Sequence, residues 1–235
     1  MTEFATEWSK FLTGQDKALL DTTSWAKSTP FGLGGNPVVL VVDLYYAALG
    51  HPRRDLLSAV AEWPSACGER GWEAVDRTAE FLKVARDSGV PIAYFHQTPP
   101  EYGRWNRKPA KRLKPMPGGK DPNAIVSEVE PGPEDIVLTK IGPSGFHETP
   151  LKTILRAGKH DTVLVCGEAT SGCVRSTVVD ACTSGYRVGV VGDCCFDRFE
   201  ASHWLSLFDM NQKYADVITA DAATGYLREL EQGAA

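Results

Sequence analysis

The amino-acid segment TVLVCGEATSGCVRSTVVDACTSGYRVGVVGDC, residues 162–194, decides the fold. It begins and ends with valine-rich runs, and between them a glycine-bounded turn leads into a stretch whose apolar residues have helical spacing. Continuous apolar runs of this length are typical of strands that are buried on both faces of a sheet. The segment therefore predicts a strand, a helix and a second, parallel strand.

The same alternation continues on both sides of this segment. Apolar runs predict strands at 37–43, 90–97, 135–140, 161–167, 186–192 and 215–219. Helical spacing predicts helices at 71–88, 149–156, 173–183 and 200–213. Strands and helices that alternate form right-handed crossovers and a parallel sheet covered on both sides. The predicted fold is a three-layer α/β/α sandwich around a six-stranded, mostly parallel, doubly wound sheet of the Rossmann-like type.

The domain organisation follows from chain length. A chain of 235 residues can build one large hydrophobic core. We expect a single domain at 37–235, preceded by a partly helical N-terminal arm at 1–36 that ends in the glycine-rich sequence FGLGG.

Charge and composition narrow the class of function. A formal net charge of −5 gives no general attraction for nucleic acid or an anionic membrane, so neither is expected as a partner. The N-terminal sequence has no apolar stretch of signal-peptide length, and the six cysteines lack paired metal-ligand spacing. We therefore expect free thiols, a cytoplasmic location, no cofactor and a small-molecule substrate.

Three chemically reactive side chains follow predicted strands or their turns. Asp43 ends the first strand, Lys140 ends the third, and Cys173 follows the fourth, where the predicted helix begins. Each alone has a simpler interpretation: a capping aspartate, a solvated lysine, an inert core cysteine. Sites in open parallel sheets lie beyond the carboxyl ends of the strands, so the three together favour a catalytic site. A helix N-terminus would also favour a thiolate at Cys173.

The strand-end Asp43, the segment KIGPSGFHETPL from Lys140, and GEATSGCVRSTVVDA around Cys173 together resemble the isochorismatase-like cysteine hydrolases. The resemblance implies that Asp43 accepts the proton of Cys173, that Lys140 supports both by charge, and that Cys173 forms a thioester with an amide or carbamoyl substrate and releases ammonia. It also implies a cis peptide bond between Glu168 and Ala169, with the amides of Ala169 and Cys173 as the oxyanion hole.

Within this family, the segment GDCCFDRFEASHWLSLFDMNQKYADV, residues 192–217, looks most like the N-carbamoylsarcosine amidase branch. That likeness implies that Arg198 binds a substrate carboxylate, for which a planar guanidinium is well suited. The alternative is a surface ion pair between Arg198 and Asp197 or Asp193. The metal-binding Asp-x-His pattern of nicotinamidases is missing after Asp43, so no metal is expected.

A basic stretch, RWNRKPAKRLK at 104–114, contains no acidic residue. It is interpreted either as a solvated loop or as a lid that attracts an anionic substrate. In the second case Tyr102 and Trp105 would contribute an aromatic wall to the substrate site.

Alternative functions remain open from the sequence. The chain could cleave a vinyl ether, as true isochorismatases do, or a maleamate, ureidoacrylate, biuret or nicotinamide-like amide. A nucleotide- or flavin-binding module is the non-enzymatic alternative, although no G-x-G-x-x-G or Walker sequence follows a strand. Relatives commonly form dimers or tetramers, so a homo-oligomer is expected.

Overall fold

The computed structural model describes residues 4–22, 29–97 and 121–234. The strands are β1 (Pro37–Val42), β2 (Ile92–Gln97), β3 (Ile136–Lys140), β4 (Thr162–Glu168), β5 (Arg187–Phe196) and β6 (Asp216–Ile218). They form one sheet in the order β3-β2-β1-β4-β5-β6, and every neighbouring pair is parallel. The predicted six-stranded parallel sheet is therefore confirmed.

Nine α-helices occur in the described ranges: α1 (Ala5–Trp8), α2 (Gly14–Thr22), α3 (Tyr46–Leu49), α4 (Leu56–Glu62), α5 (Glu69–Asp87), α6 (Leu151–Ala157), α7 (Arg175–Thr183), α8 (Glu200–Lys213) and α9 (Ala220–Ala234). The four predicted helices correspond to α5, α6, α7 and α8. No helix in the described part of the chain has the length and apolar character needed to cross a bilayer.

Two hydrophobic clusters cover the two faces of the sheet. Residues of α5 and α9 pack with Val39 and Val41 on one face, and residues of α6, α7 and α8 pack with Val38, Leu40 and Val42 on the other. All six residues of β1 and all seven of β4 are buried, which explains why their sequences are continuous apolar runs without alternation. The three-layer sandwich is thus confirmed.

The described part of the N-terminal segment packs on this domain. Phe4 and Trp8 are buried, and their rings contact Trp204 and Phe208 of α8. Further along, the Asp216 carboxylate accepts hydrogen bonds from the backbone N–H groups of residues 31 and 32 at 3.0 and 2.7 Å. The segment is therefore attached both to a helix and to the amino end of β6.

The strand order reverses between β1 and β4, which lie side by side at the centre of the sheet. Gly167 pairs with Val42 here and has a φ of +113°, and a Cβ at this position would collide with the Val42 carbonyl. Only glycine allows the two backbones to approach so closely. The crevice at the carboxyl ends of β1 and β4 is where a ligand site is expected in this class of fold.

Candidate active site

Asp43 follows β1 directly, at the carboxyl end of a central strand of the sheet. Its backbone has a φ of +54°, in the left-handed region that residues other than glycine seldom adopt. Its side chain is 2% exposed, and Oδ1 has no hydrogen-bond partner among the described residues. A buried carboxylate oxygen without a partner is costly for the fold, and it is available to accept a proton.

Lys140 is the last residue of β3 and is as deeply buried as Asp43. Its Nζ lies 2.8 Å from Asp43 Oδ2 and donates to Cys173 Sγ at 3.3 Å and to the Gly142 carbonyl at 3.2 Å. The lysine therefore bridges the acid and the sulfur. The structure brings together the three side chains that the sequence singled out, although they come from three distant parts of the chain.

Cys173 lies in a single π-helical turn, Thr170–Val174, that precedes α7. It does not open the α-helix itself, as the sequence suggested, because α7 begins at Arg175. The turn is held from two sides. Asp197 Oδ2 accepts from the Ser171 backbone N–H at 2.9 Å and from its hydroxyl at 2.6 Å, and Thr170 Oγ1 lies 2.8 Å from His203 Nδ1.

The surroundings of Cys173 raise the pKa of its thiol. Burial and the neighbouring Asp43 carboxylate raise its pKa well above that of an ordinary cysteine, and the charge of Lys140 only partly opposes them. The expectation that the helix N-terminus favours a thiolate stays a prediction, and burial and the adjacent acid act in the opposite direction.

Asp43 and Lys140 have coupled charges. Burial raises the pKa of Asp43, while the nearby Lys140 opposes the rise. Burial alone would disfavour the Lys140 ammonium, but the charge of Asp43 and the hydrogen bonds to Asp43 and Cys173 outweigh burial and raise the pKa of Lys140. The lysine is thus charged at neutral pH, and the ionised form of Asp43 depends on it.

The peptide bond between Glu168 and Ala169 is cis. The Ala169 carbonyl accepts hydrogen bonds from the N–H groups of Gly172 and Val174, at 2.8 and 3.2 Å. The Cys173 N–H lies between these two donors in sequence and takes no part in this pair of bonds. The arrangement is compatible with the expected use of the Ala169 and Cys173 amides as oxyanion donors.

Glu168 is a site residue that the sequence reasoning did not identify. It ends β4, its side chain is 8% exposed, and its Oε2 has no hydrogen-bond partner in the described ranges. Burial raises its pKa to about 7, even though Arg198 opposes the shift. The rule that drew attention to Asp43, an acid directly after a buried strand, applies equally to Glu168 and would have found it.

Arg198 approaches the same region from the turn between β5 and α8. Its guanidinium donates to the Ser65 carbonyl at 2.6 Å and contacts Glu168 Oε1 at 3.4 Å. The surface ion pair with Asp197 or Asp193 that was considered from the sequence is not formed within the described ranges, where the guanidinium pairs with Glu168 and only the backbone N–H of Arg198 donates to Asp197. The Arg198 side chain is 28% exposed, so part of it is accessible to solvent.

Tyr102, Trp105 and the basic stretch at 104–114 lie outside the described residues, and the predictions for them stay predictions. Among the residues that are described, no group of three or more His, Cys, Asp or Glu could hold a metal ion. A cavity of about 460 Å³ is lined by residues of α5 and α8 and by Asp197. Asp43, Lys140 and Cys173 are not among its lining residues, so this cavity does not include the three side chains.

The Isochorismatase domain family model matches residues 54–222. The chain belongs to the isochorismatase family. The family match begins after Asp43 and includes Lys140, Cys173 and Arg198. This confirms the resemblance that was inferred from the motifs.

Two family relatives are named amidohydrolases or amidases. The maleamate amidohydrolase of Pseudomonas putida is 38% identical over 162 residues, which cover 67% of this chain and 76% of that protein. The N-carbamoylsarcosine amidase of an Arthrobacter species is 28% identical over 214 residues, covering 86% and 75%. The likeness to the N-carbamoylsarcosine amidase branch is confirmed, and the maleamate enzyme is a second relative with higher identity over a shorter alignment.

A solved structure of a cysteine hydrolase from Pseudomonas syringae has the same isochorismatase fold. It superposes with a TM-score of 0.71 at 20% identity and covers 86% of this chain and 99% of its own. At this identity the match supports the fold alone.

Proposed function

We propose that this isochorismatase-family protein is a metal-independent cysteine amidohydrolase that cleaves a small amide or N-carbamoyl compound. The observation that supports this most directly is the contact of one buried ammonium, Lys140 Nζ, with both Asp43 Oδ2 at 2.8 Å and Cys173 Sγ at 3.3 Å. An acid and a thiol that share one ammonium partner can form a nucleophile with its own base.

The mechanism follows from the charges. Asp43 takes the proton of Cys173, and the resulting thiolate is stabilised by Lys140. The sulfur attacks the amide carbonyl, and the amides of Ala169 and Cys173 stabilise the oxyanion. When the C–N bond breaks, Asp43 gives its proton to the departing nitrogen, which leaves as ammonia, and a thioester remains. Water then attacks the thioester with Asp43 again as base, which releases the acid product and the thiol.

The substrate is proposed to carry a carboxylate in addition to its amide. Maleamate and N-carbamoylsarcosine, for which the two relatives are named, each contain both groups. Arg198 is the candidate partner, since its guanidinium is partly exposed and a guanidinium can bind a carboxylate through two parallel hydrogen bonds.

A substrate panel tests this proposal. We expect ammonia release from one or more of maleamate, N-carbamoylsarcosine, ureidoacrylate and biuret, and an acyl- or carbamoyl-enzyme mass on the peptide that contains Cys173 after rapid acid quench. Dialysis against a chelator should leave kcat/KM unchanged, because the mechanism uses no metal. A mass adduct at another cysteine, or loss of activity that added Zn²⁺ restores, would contradict the proposed chemistry.

A further inference from the structure

Glu168 is buried, ionisable and incompletely paired. Its contact with Arg198, at 3.4 Å, is long compared with the roughly 2.7–2.9 Å of a strong charge-assisted hydrogen bond. Its second oxygen, Oε2, has no partner among the described residues. The triad mechanism proposed above makes no use of this carboxyl group, although it adjoins the Glu168–Ala169 peptide of the nucleophile turn.

The surroundings of Glu168 contain several groups that respond to its charge. The titratable or charged side chains that interact electrostatically with it are Asp43, Tyr45, Cys67, Cys173, Asp197 and Arg198. Arg198 is the one permanent cation in this set. A negative charge on Glu168 is therefore balanced mainly by the guanidinium that is also the candidate partner of a substrate carboxylate.

Two carboxylates cannot both use this arginine well. Arg198 Nε is already bonded to the Ser65 carbonyl, which leaves the Nη edge for Glu168 and for any ligand. A substrate carboxylate placed there would meet the ionised Glu168 in a poorly solvated site, where like charges repel strongly.

We propose that Glu168 is a specificity-determining residue: its carboxylate competes for Arg198, and a substrate carboxylate binds Arg198 only when Glu168 has taken up a proton. This inference rests on the proposed amidohydrolase function and names the control of its substrate site. Since the pKa of Glu168 is about 7, the competition changes within the neutral pH range. Above that pH the ionised Glu168 carboxylate pairs with Arg198. Below that pH Glu168 is protonated, and Arg198 can bind a substrate carboxylate.

The test measures binding without turnover, in protein that carries Cys173→Ser. Maleamate has an amide and a carboxylate, and maleamide is its uncharged diamide. We expect the calorimetric Kd of maleamate to rise about tenfold for each pH unit above about 7, with uptake of one proton per ligand bound. The Kd of maleamide should stay constant over the same range, because it presents no carboxylate to Arg198.

Glu168→Gln provides the decisive comparison. In this variant the Kd of maleamate should be independent of pH and no proton should be taken up. Glu62→Gln is the matched control, since Glu62 forms an exposed ion pair with Arg54 at 2.8 Å and the charge change is the same. It should retain the full pH dependence. If Glu168→Gln does not fold, the test is the number of protons taken up when maleamate binds to the protein that retains Glu168. This number is obtained by calorimetry in buffers of different ionisation enthalpy.

Several results would overturn the inference. They are a pH-independent Kd for maleamate, a maleamide Kd with the same slope, an unchanged slope in Glu168→Gln, or no maleamate binding at about pH 6. Because none of these measurements requires hydrolysis, a failure of the inference is distinguishable from a failure of the proposed catalytic function, which the ammonia assay and the thioester mass address.

Discussion

Replacing Cys173 by serine is expected to lower kcat for amide hydrolysis by a factor on the order of 10⁴ or more, with little change in substrate affinity. A hydroxyl is far harder to ionise than a thiol, and Asp43 is a base suited to a thiol whose anion is stabilised by Lys140. The measurement is single-turnover ammonia release together with the substrate Kd.

Cys182→Ser is the matched control for this change. Cys182 lies in α7, the helix that follows the nucleophile turn, and like Cys173 it is neither fully buried nor exposed. Its replacement should leave kcat within about twofold, since surface and half-buried substitutions away from the site have small effects. Activity of Cys173→Ser comparable to that of Cys182→Ser would remove the nucleophile from the mechanism.

Replacing Lys140 by methionine should destabilise the protein by about 3–5 kcal/mol and also abolish turnover. The lysine and Asp43 side chains are 0% and 2% exposed, so removal of the ammonium leaves a carboxylate buried without its cation. Urea unfolding followed by circular dichroism would measure the loss as a lower midpoint.

Lys213→Met separates this effect from the general loss of a lysine. Lys213 pairs with Asp209 at 2.7 Å, but its side chain is 48% exposed, and exposed pairs contribute at most about 1 kcal/mol. We expect its midpoint to stay close to that of the wild type. Equal losses of unfolding free energy in the two variants would mean that the buried Lys140–Asp43 pair stabilises the protein no more than a surface pair does.

The sheet could be predicted because burial on both faces of a strand leaves a strong signal, and four covering helices could be predicted from their apolar spacing. The helix α9, which packs on the sheet through Ala223 and Leu227, was not predicted. The valine-rich runs of β1 and β4 gave the central strands, and the site location followed from where such strands end. The short helices α3 and α4 were not predicted, since four and seven residues are too few to show a period. Their positions depend on packing against the domain.

The composition of the candidate site was only partly predictable. Asp43, Lys140 and Cys173 could be found because they follow strands that are distinct in sequence. The ionisation of Cys173 could not, since it depends on how deeply the π-turn buries the sulfur beside an acid. The partners of Arg198 also required coordinates, because Ser65 lies in a loop far away in the chain.

The position of β3 at the edge of the sheet affects how the protein loses activity under mild denaturation. β3 pairs with β2 alone and borders the sheet, with Val137 half exposed, yet it supplies the only ammonium that touches both Asp43 and Cys173 in the described part of the chain. Border strands detach at lower free energy than central ones. Fraying of this one strand would disconnect acid from sulfur while the core around β1 and β4 stayed intact, so inactivation under mild denaturation should precede global melting.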